Sequence, residues 1–285
     1  MKFILILVLI LTIFLILILN KKKLFNNFNN EFDESIYKNL SKKDQKKWSN
    51  KYYFHNKPVC QLCVSENIRP SDKKVYCLWT GNNEMSETRK LAYVSLKKNI
   101  GVEVILINKN NLNRYIKSDY PLHEAYQYLS ETCKSDYLRC YIMHFYGGCY
   151  HDIKHVNTDF NKYFDNLNNS NKWLNAPKTP LNTIIGNNKN RTMSLSPYTF
   201  KKNICSSTYI FKQETPITHE WFLLLHQILD NKLIDLKKNP SKDIRDFTGK
   251  KLKDNTISKY PIYWNELNAG ILGDIIWKYR DKVLY

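Results

Sequence analysis

The residues with the clearest potential for chemistry lie in one window, residues 135–156, which reads SDYLRCYIMHFYGGCYHDIKHV. It contains the ionisable side chains of Asp136, Arg139 and Asp152 on either side of a Gly-Gly pair. The pattern predicts an amphipathic helix that the glycines end, followed by a short strand with Asp152 at its end. Because ligands of open α/β sheets bind beyond the carboxyl ends of the strands, we expect a ligand to meet Asp152.

The helix in this window is predicted to begin at Ser135, a residue type that favours the N-cap position. Its apolar residues fall at spacings i, i+3, i+4 and i+7 on one face: Leu138, Tyr141, Ile142 and Phe145. Asp136, Arg139 and His144 are expected away from that face. Asp136 and Arg139 could also form a surface ion pair of little energetic value.

The elements upstream of the window indicate an α/β fold. Residues 75–79 form an apolar run that ends at a turn, and residues 86–98 have helical spacing with an N-cap near Ser86. Gly101 and a second apolar run at 102–107 follow. A strand, a helix and a strand in this order predict a βαβ unit with parallel strands and helices on the faces of the sheet.

The remaining segments have weaker patterns. A helix is expected after Pro121, and residues 156–200 are expected to form loops. A strand at 204–211 and a strongly apolar helix at 221–236 are predicted further along the chain.

Composition excludes several classes of protein. The 285 residues are 43% hydrophobic, with 20 Tyr and only 8 Gly, which excludes a disordered or a collagen-like chain. Lys and Arg outnumber Asp and Glu by 44 to 26, a net charge of +18 that favours anionic partners. Residues 1–60 hold 11 lysines against 4 acids, so much of the excess lies outside the predicted folded part. The chain has no nucleic-acid-binding motif, and we expect no nucleic-acid partner.

The N-terminal segment is predicted to be a membrane anchor. Residues 3–19 are 17 consecutive residues without charge, just long enough to cross a thin bilayer as a helix. We therefore expect three regions: an anchor with its basic flank (1–23), a stalk (24–70) and a folded domain (71–285). A cleaved signal peptide is less favoured, because no small-residue cleavage site follows. The expected location is a single-pass position in the Golgi, the endoplasmic reticulum or another endomembrane, with the orientation open.

The window at 135–156 resembles the signature of the DXD-containing sugar-binding-region glycosyltransferases. These include initiation-type α-1,6-mannosyltransferases and capsular polysaccharide synthesis proteins. Eight positions match in register: Asp136, Arg139, Tyr141, Tyr146, Gly147, Gly148, Tyr150 and Asp152. Upstream, residues 78–81 and 95–108 look like two further segments of that family, so the resemblance covers roughly residues 75–160.

The resemblance implies a GT-A-like, Rossmann-like nucleotide-sugar-binding domain behind the transmembrane helix. The implied reaction moves a sugar from a UDP- or GDP-sugar to a glycan or another hydroxyl acceptor, with retention. Trp79 and Thr80 would lie nearest the base and ribose. Asp136 would bind sugar or ribose hydroxyls, and Arg139 the diphosphate or the sugar.

The resemblance also implies roles for the second half of the window. Gly147 and Gly148 would let the backbone approach the donor closely, although they could equally be only the end of the helix. Tyr150 and Lys154 belong to the implied donor site. Asp152 would be the carboxylate that binds the metal or the donor. In the family, paired carboxylates hold a Mn²⁺ ion, which bridges the diphosphate of the donor.

One departure from the family pattern affects the metal. The second acid of the motif is replaced by Lys154. Asp152 could hold Mn²⁺ or Mg²⁺ with a histidine instead. Lys154 could itself replace the cation, because an ammonium group can neutralise a phosphate. The chain could also have lost catalysis, which would leave a sugar- or partner-binding membrane protein.

Residues outside the window complete the set of candidates. The histidines that could assist a metal are His151, His155, His219 and His226, although packing or helix capping is favoured for the last two. Trp264 and Glu266 could reach the acceptor or the donor.

Overall fold

A mixed β-sheet with helices on both faces organises the part of the chain that this computed structural model describes, residues 68–178, 204–264 and 266–285. The predicted anchor and nearly all of the predicted stalk lie outside these residues. Among the described residues, no helix combines the length and apolar character needed to span a bilayer. The described residues belong to one compact unit, 58–285.

The sheet of the described residues has six strands in the order β2-β1-β3-β5-β4-β6. β1 is parallel to both of its neighbours, β2 and β3. β5 is antiparallel to β3 and β4, and β6 is parallel to β4. The bounds are β1 Lys74–Trp79, β2 Glu103–Asn108, β3 Gly148–His151, β4 Leu174–Asn175, β5 Thr208–Phe211 and β6 Val283–Leu284.

Five α-helices surround the sheet in the described part of the chain. They are α1 Glu87–Asn99, α2 Glu131–Phe145, α3 Asn161–Asn168, α4 Pro216–Lys238 and α5 Ala269–Lys278. Short 3-10 helices occur at Leu112–Tyr115, Glu124–Tyr128 and Arg280–Lys282. The helix expected after Pro121 is thus only one 3-10 segment, and α3 lies within the stretch expected to be loops.

The predicted βαβ unit is confirmed as β1-α1-β2. Ser86 caps α1 as expected, because its side-chain oxygen accepts a hydrogen bond from the backbone N–H of Arg89. Gly101 provides the turn before β2 with φ of +79°, a conformation that glycine adopts without steric cost.

The predicted start of α2 is wrong. The N-cap is Ser130, whose hydroxyl accepts a hydrogen bond from the backbone N–H of Cys133, so Ser135 lies within the helix. The prediction that Asp136 and His144 avoid the buried face is also wrong, since both side chains are buried. α2 packs between the sheet and α4, so more than one of its faces is covered.

The core lies on both sides of the sheet. On one face, side chains of α1 and α3, including Leu96 and Phe164, pack against Val75, Cys77 and Cys149 of the strands. On the other face, Trp221 of α4 is fully buried against the rings of Tyr209 and Phe211 in β5. This packing on both faces holds the carboxyl ends of β1 and β3 in place.

The glycine pair before β3 provides a stability prediction. A Cβ at Gly147, whose φ is +62°, would lie 2.8 Å from the backbone nitrogen of Gln213 and 2.9 Å from the carbonyl oxygen of Phe211. Gly249 has a φ of +79° but no atom within 4 Å of such a Cβ. Gly249→Ala should therefore cost only about 1 kcal/mol, from the backbone conformation alone. Gly147→Ala should cost about 2–4 kcal/mol, because the clash adds to it.

Urea unfolding of both variants, followed by circular dichroism, measures the two losses. Equal losses of stability would show that β5 moves away from Gly147 at no cost, contrary to the tight backbone packing described above.

Candidate functional site

A cleft of about 520 Å³ opens at the carboxyl ends of β1 and β3. Three segments supply most of its polar groups: the turn after β1, the first half of α2 and the residues that follow β3. Its lining includes Trp79, Thr80, Asp136, Arg139, Tyr150, Asp152 and Lys154. The structure thus brings together every candidate donor-site residue except the two glycines.

Arg139 lies at the centre of the polar groups. Its Nη2 is 3.4 Å from Oδ1 of Asp152, and its Nη1 is 3.5 Å from Oδ1 of Asp136. Nη1 also donates a hydrogen bond of 3.1 Å to the carbonyl oxygen of Ser206. The guanidinium lies 4.3 Å from the ring centroid of Tyr150, within the range of a cation–π contact. The side chain is only 14% exposed, so the two carboxylates provide the compensation that a nearly buried cation requires.

Asp152 follows β3 directly and points into the cleft. The hydroxyl of Tyr150 donates a 2.7 Å hydrogen bond to Oδ1, and Nζ of Lys154 lies 2.9 Å from Oδ2. Its backbone N–H donates a hydrogen bond to the carbonyl oxygen of Ser207, which fixes the residue beside β5. Burial raises the pKa of Asp152, but Arg139, Lys154 and Tyr150 together hold the pKa below its usual range. The carboxylate is therefore ionised at neutral pH.

Asp136 has the opposite balance of effects. Its side chain is 6% exposed, and burial raises its pKa more than Arg139 and Asn268 lower it. The side-chain amide of Asn268 donates a 3.0 Å hydrogen bond to Oδ1. Asp136 therefore serves mainly to hold Arg139, whereas Asp152 is the more exposed carboxylate of the two.

The end of β1 and the turn that follows it, residues 79–83, form one wall of the cleft. The Thr80 hydroxyl donates a 2.9 Å hydrogen bond to the carbonyl oxygen of Glu131, which joins the end of β1 to the start of α2. The indole N–H of Trp79 donates to the carbonyl oxygen of Asn83 at 2.7 Å. These bonds fix the indole beside the charged groups.

Gly147 and Gly148 lie at the opposite end of β3 from Asp152. Gly147 approaches the backbone of residues 211–213, and Gly148 approaches the carbonyl oxygen of Lys74 and the ring of Tyr76. The close backbone approach that they permit is therefore to neighbouring strands. Their location does not place them in the cleft lining.

The groups around Asp152 do not match the donor set of a divalent cation. Such ions require several oxygen or nitrogen ligands. Both oxygens of Asp152 instead contact hydrogen-bond donors, of which Arg139 and Lys154 are cations and Tyr150 is a hydroxyl. In the described ranges, no three His, Cys, Asp or Glu side chains are grouped closely enough to hold a metal ion. The residues around Asp152 thus fit an anion between Arg139 and Lys154 better than a metal ion.

The candidate histidines do not change this picture: His155 is exposed and is not part of the cleft lining. Nδ1 of His151 lies 2.5 Å from the carbonyl oxygen of Asp152, and burial lowers the pKa of the imidazole. His226 contacts the Tyr137 hydroxyl through Nε2 at 3.0 Å and packs on the ring of Phe222. His219 is buried on α4 beside His144. These two side chains belong to the packing between α2 and α4.

The C-terminal candidates separate into two roles. Glu266 lies 2.7 Å from Nζ of Lys232 and accepts a hydrogen bond from the backbone N–H of Tyr263, so it holds its own loop in place. Trp264 lines the cleft, is 40% exposed and contacts Phe247 edge to face. Of these two residues, only Trp264 is therefore available to contact a bound molecule.

Three cleft residues, Ser206, Ile244 and Arg245, were not found from the sequence, and neither was Asn268, which is buried behind the cleft and contacts Asp136. Ser206 contributes a backbone carbonyl, which leaves no sequence signal. Asn268 pairs with Asp136 across 132 residues of chain, and no local pattern marks such a pair. Ile244 has no distinctive signal either, because it is one of several exposed large apolar side chains in the described residues and single exposed apolar residues are common.

Comparisons with known proteins agree in part with these observations. Residues 17–171, more than half of the chain, match the family model described as "Capsular polysaccharide synthesis protein". A solved structure titled "PaToxG Glycosyltransferase" is similar at 16% identity, covering 60% of this chain and 65% of that chain. Its TM-score of 0.35 is too low to establish a shared fold. No curated protein matches the chain significantly.

The nearly buried charge cluster gives a second prediction. Arg139→Met leaves Asp136 and Asp152 without their shared cation, so we expect a loss of about 3–5 kcal/mol in the free energy of unfolding. Lys134→Met, also on α2, breaks the more exposed pair with Glu131 and should cost no more than about 1 kcal/mol. Urea unfolding at pH 7 measures both variants.

The dependence of this loss on pH follows from Asp152. A carboxyl group whose pKa is lowered in the folded protein adds stability above its ordinary pKa, and that stability is lost as the pH falls. The gap between wild type and Arg139→Met should thus be largest above about pH 5 and should shrink towards about pH 3. A loss below about 1 kcal/mol, independent of pH, would contradict the role given to Arg139.

Proposed function

The chain belongs to the capsular polysaccharide synthesis protein family, and we propose that it is a glycosyltransferase. The proposed reaction moves a sugar from a nucleotide-sugar donor to a hydroxyl group of a glycan or another acceptor. The observation that carries the proposal is the Arg139–Asp152–Lys154 cluster in a cleft at the carboxyl ends of β1 and β3. Ligand sites of open α/β sheets occur at such strand ends.

The donor diphosphate would lie beside Arg139 and Lys154. The Arg139 guanidinium, whose Nη atoms already contact Asp152, Asp136 and the carbonyl oxygen of Ser206, provides a fixed positive charge, and the Lys154 ammonium adds a compact second charge. As the bond between sugar and phosphate breaks, negative charge grows on the leaving diphosphate. Cations fixed beforehand at that place stabilise the transition state more than the ground state.

The base and ribose of a UDP- or GDP-sugar would lie along Trp79 and Thr80. An indole face held by its own N–H···O bond is a preorganised stacking surface. Thr80 already uses its hydroxyl hydrogen on Glu131, so its oxygen lone pairs are the groups that can meet a ribose hydroxyl.

Asp152 has two proposed tasks. Its ionised carboxylate holds Arg139 and Lys154 in position, and its partial exposure of 23% allows it to accept a hydrogen bond from a sugar hydroxyl. Asp136 is the positioning residue behind Arg139. We propose retention at the anomeric carbon, in line with the resemblance described above, and we assign no carboxylate base.

The acceptor side of the cleft would be formed by Ile244 and Trp264. Both are partly exposed apolar side chains in the lining, and the apolar face of a sugar ring packs well on such a surface. Attachment to an endomembrane through residues 3–19, with the acceptor presented nearby, completes the proposal.

Activity of the full-length chain tests the proposed function. With a panel of UDP- and GDP-sugars we expect donor turnover, measured as released nucleoside diphosphate. Asp152→Asn should lower turnover by about 100-fold or more, because the amide cannot hold the two cations by charge. Asp165→Asn is the matched control: Asp165 also pairs with a lysine, Lys73 at 2.8 Å, but lies on α3 outside the cleft lining, so we expect turnover to be unchanged.

Three results would decide between the alternatives. Turnover that survives Asp152→Asn would remove the site assignment. No turnover, together with binding of a donor sugar nucleotide, would support a catalytically inactive sugar-binding protein. No turnover and no binding would remove the proposal itself.

A further inference from the structure

Lys154 occupies the space beside Asp152 that a metal ion would need. Its Nζ lies 2.9 Å from Oδ2, while Arg139 lies 3.4 Å from Oδ1 on the other side of the carboxylate. A divalent cation bound to Asp152 would have to displace the ammonium and would then lie beside the guanidinium. Like charges at such distances repel strongly in a partly buried site.

We propose that the cleft binds the diphosphate of its donor without a divalent cation, using Arg139 and Lys154 as the neutralising charges. This proposal rests on the proposed function, since it concerns the donor of that reaction. The Asp152 carboxylate then serves as an anchor for both cations.

The two cations differ in a way that suits this task. Arg139 is only 14% exposed and is held by two carboxylates, a carbonyl oxygen and the ring of Tyr150, so it is a fixed charge. Lys154 is 51% exposed and contacts only one side of Asp152. An ammonium has three N–H donors, so it can keep its bond to Asp152 while it donates to a phosphate oxygen. Lys154 can therefore follow the leaving diphosphate over a short distance.

The other charged groups of the cleft do not offer a metal site either. Asp136 is buried and bonded to Arg139 and Asn268. Glu131 is paired with Lys134 at 2.9 Å. The remaining charged groups of the lining, Arg89 and Arg245, are cations that add to the attraction for an anion.

Binding of UDP and GDP to the full-length chain, measured by calorimetry with EDTA or with Mn²⁺, tests the proposal. Wild type should bind one of the two nucleotides with the same affinity, within about twofold, under both conditions. Lys154→Met should lose about tenfold or more in affinity, equally with EDTA and with Mn²⁺.

The sharper variant is Lys154→Asp, which places a second carboxylate two residues after Asp152. Its binding in EDTA should also fall at least about tenfold, but Mn²⁺ should restore much of it, because two carboxylates can now hold the ion. Lys98→Asp changes the charge equally at an exposed position on α1 outside the cleft lining, and should bind as wild type does. Circular dichroism checks that each variant is folded.

The outcomes separate this proposal from the proposed function. Wild-type binding that disappears in EDTA and returns with Mn²⁺ would overturn the metal-free site and leave the glycosyltransferase proposal standing. Unchanged affinity in Lys154→Met would also overturn it. Absence of binding of either nucleotide to wild type under both conditions would overturn the proposed function itself.

Discussion

The guanidinium of Arg139 is held between two carboxylates near the carboxyl end of β3. The arrangement of the site depends on this nearly buried charge. Burial alone would lower the pKa of Arg139, but Tyr150, Asp136 and Asp152 raise it, so the side chain is charged. A cation at this depth is tolerated only with such partners. α2 must therefore lie where Asp136 and Arg139 face the end of β3, and the C-terminal segment must bring Asn268 to Asp136.

Asp136 and Asp152, the two acids that contact Arg139, differ in burial and in pKa. Asp136 is more deeply buried and contacts Arg139 and Asn268, which suits a residue that positions Arg139 even though burial raises its pKa. Asp152 has a lowered pKa and lies partly exposed in the cleft beside Lys154, which suits a residue that meets the ligand. The alternation of positive and negative groups leaves the two cations as the groups that can meet the anionic donor proposed above.

Local patterns predicted β1-α1-β2, the Ser86 cap and the position of Asp152 after β3, because each depends on neighbours in the sequence. They failed where distant residues decide the structure. The N-cap of α2 is Ser130 rather than Ser135. The buried hydroxyl of Ser130 donates to the carbonyl oxygen of Asp246, 116 residues away. β5 pairs antiparallel with β3, a strand far from it in the sequence, and Asp136 is buried against a partner 132 residues away. The resemblance supplied the charged residues around Arg139, but only the structure shows Lys154 bonded to Asp152.

A crystal structure of the full-length chain with UDP or GDP in the presence of Mn²⁺ tests the central claim most directly. We expect diphosphate oxygens within about 3 Å of both Arg139 and Lys154, with the base along Trp79 and no metal ion bound to Asp152. A diphosphate bound outside the cleft would contradict the site. A Mn²⁺ ion coordinated by Asp152, with Lys154 displaced, would contradict the role of the lysine as the built-in cation.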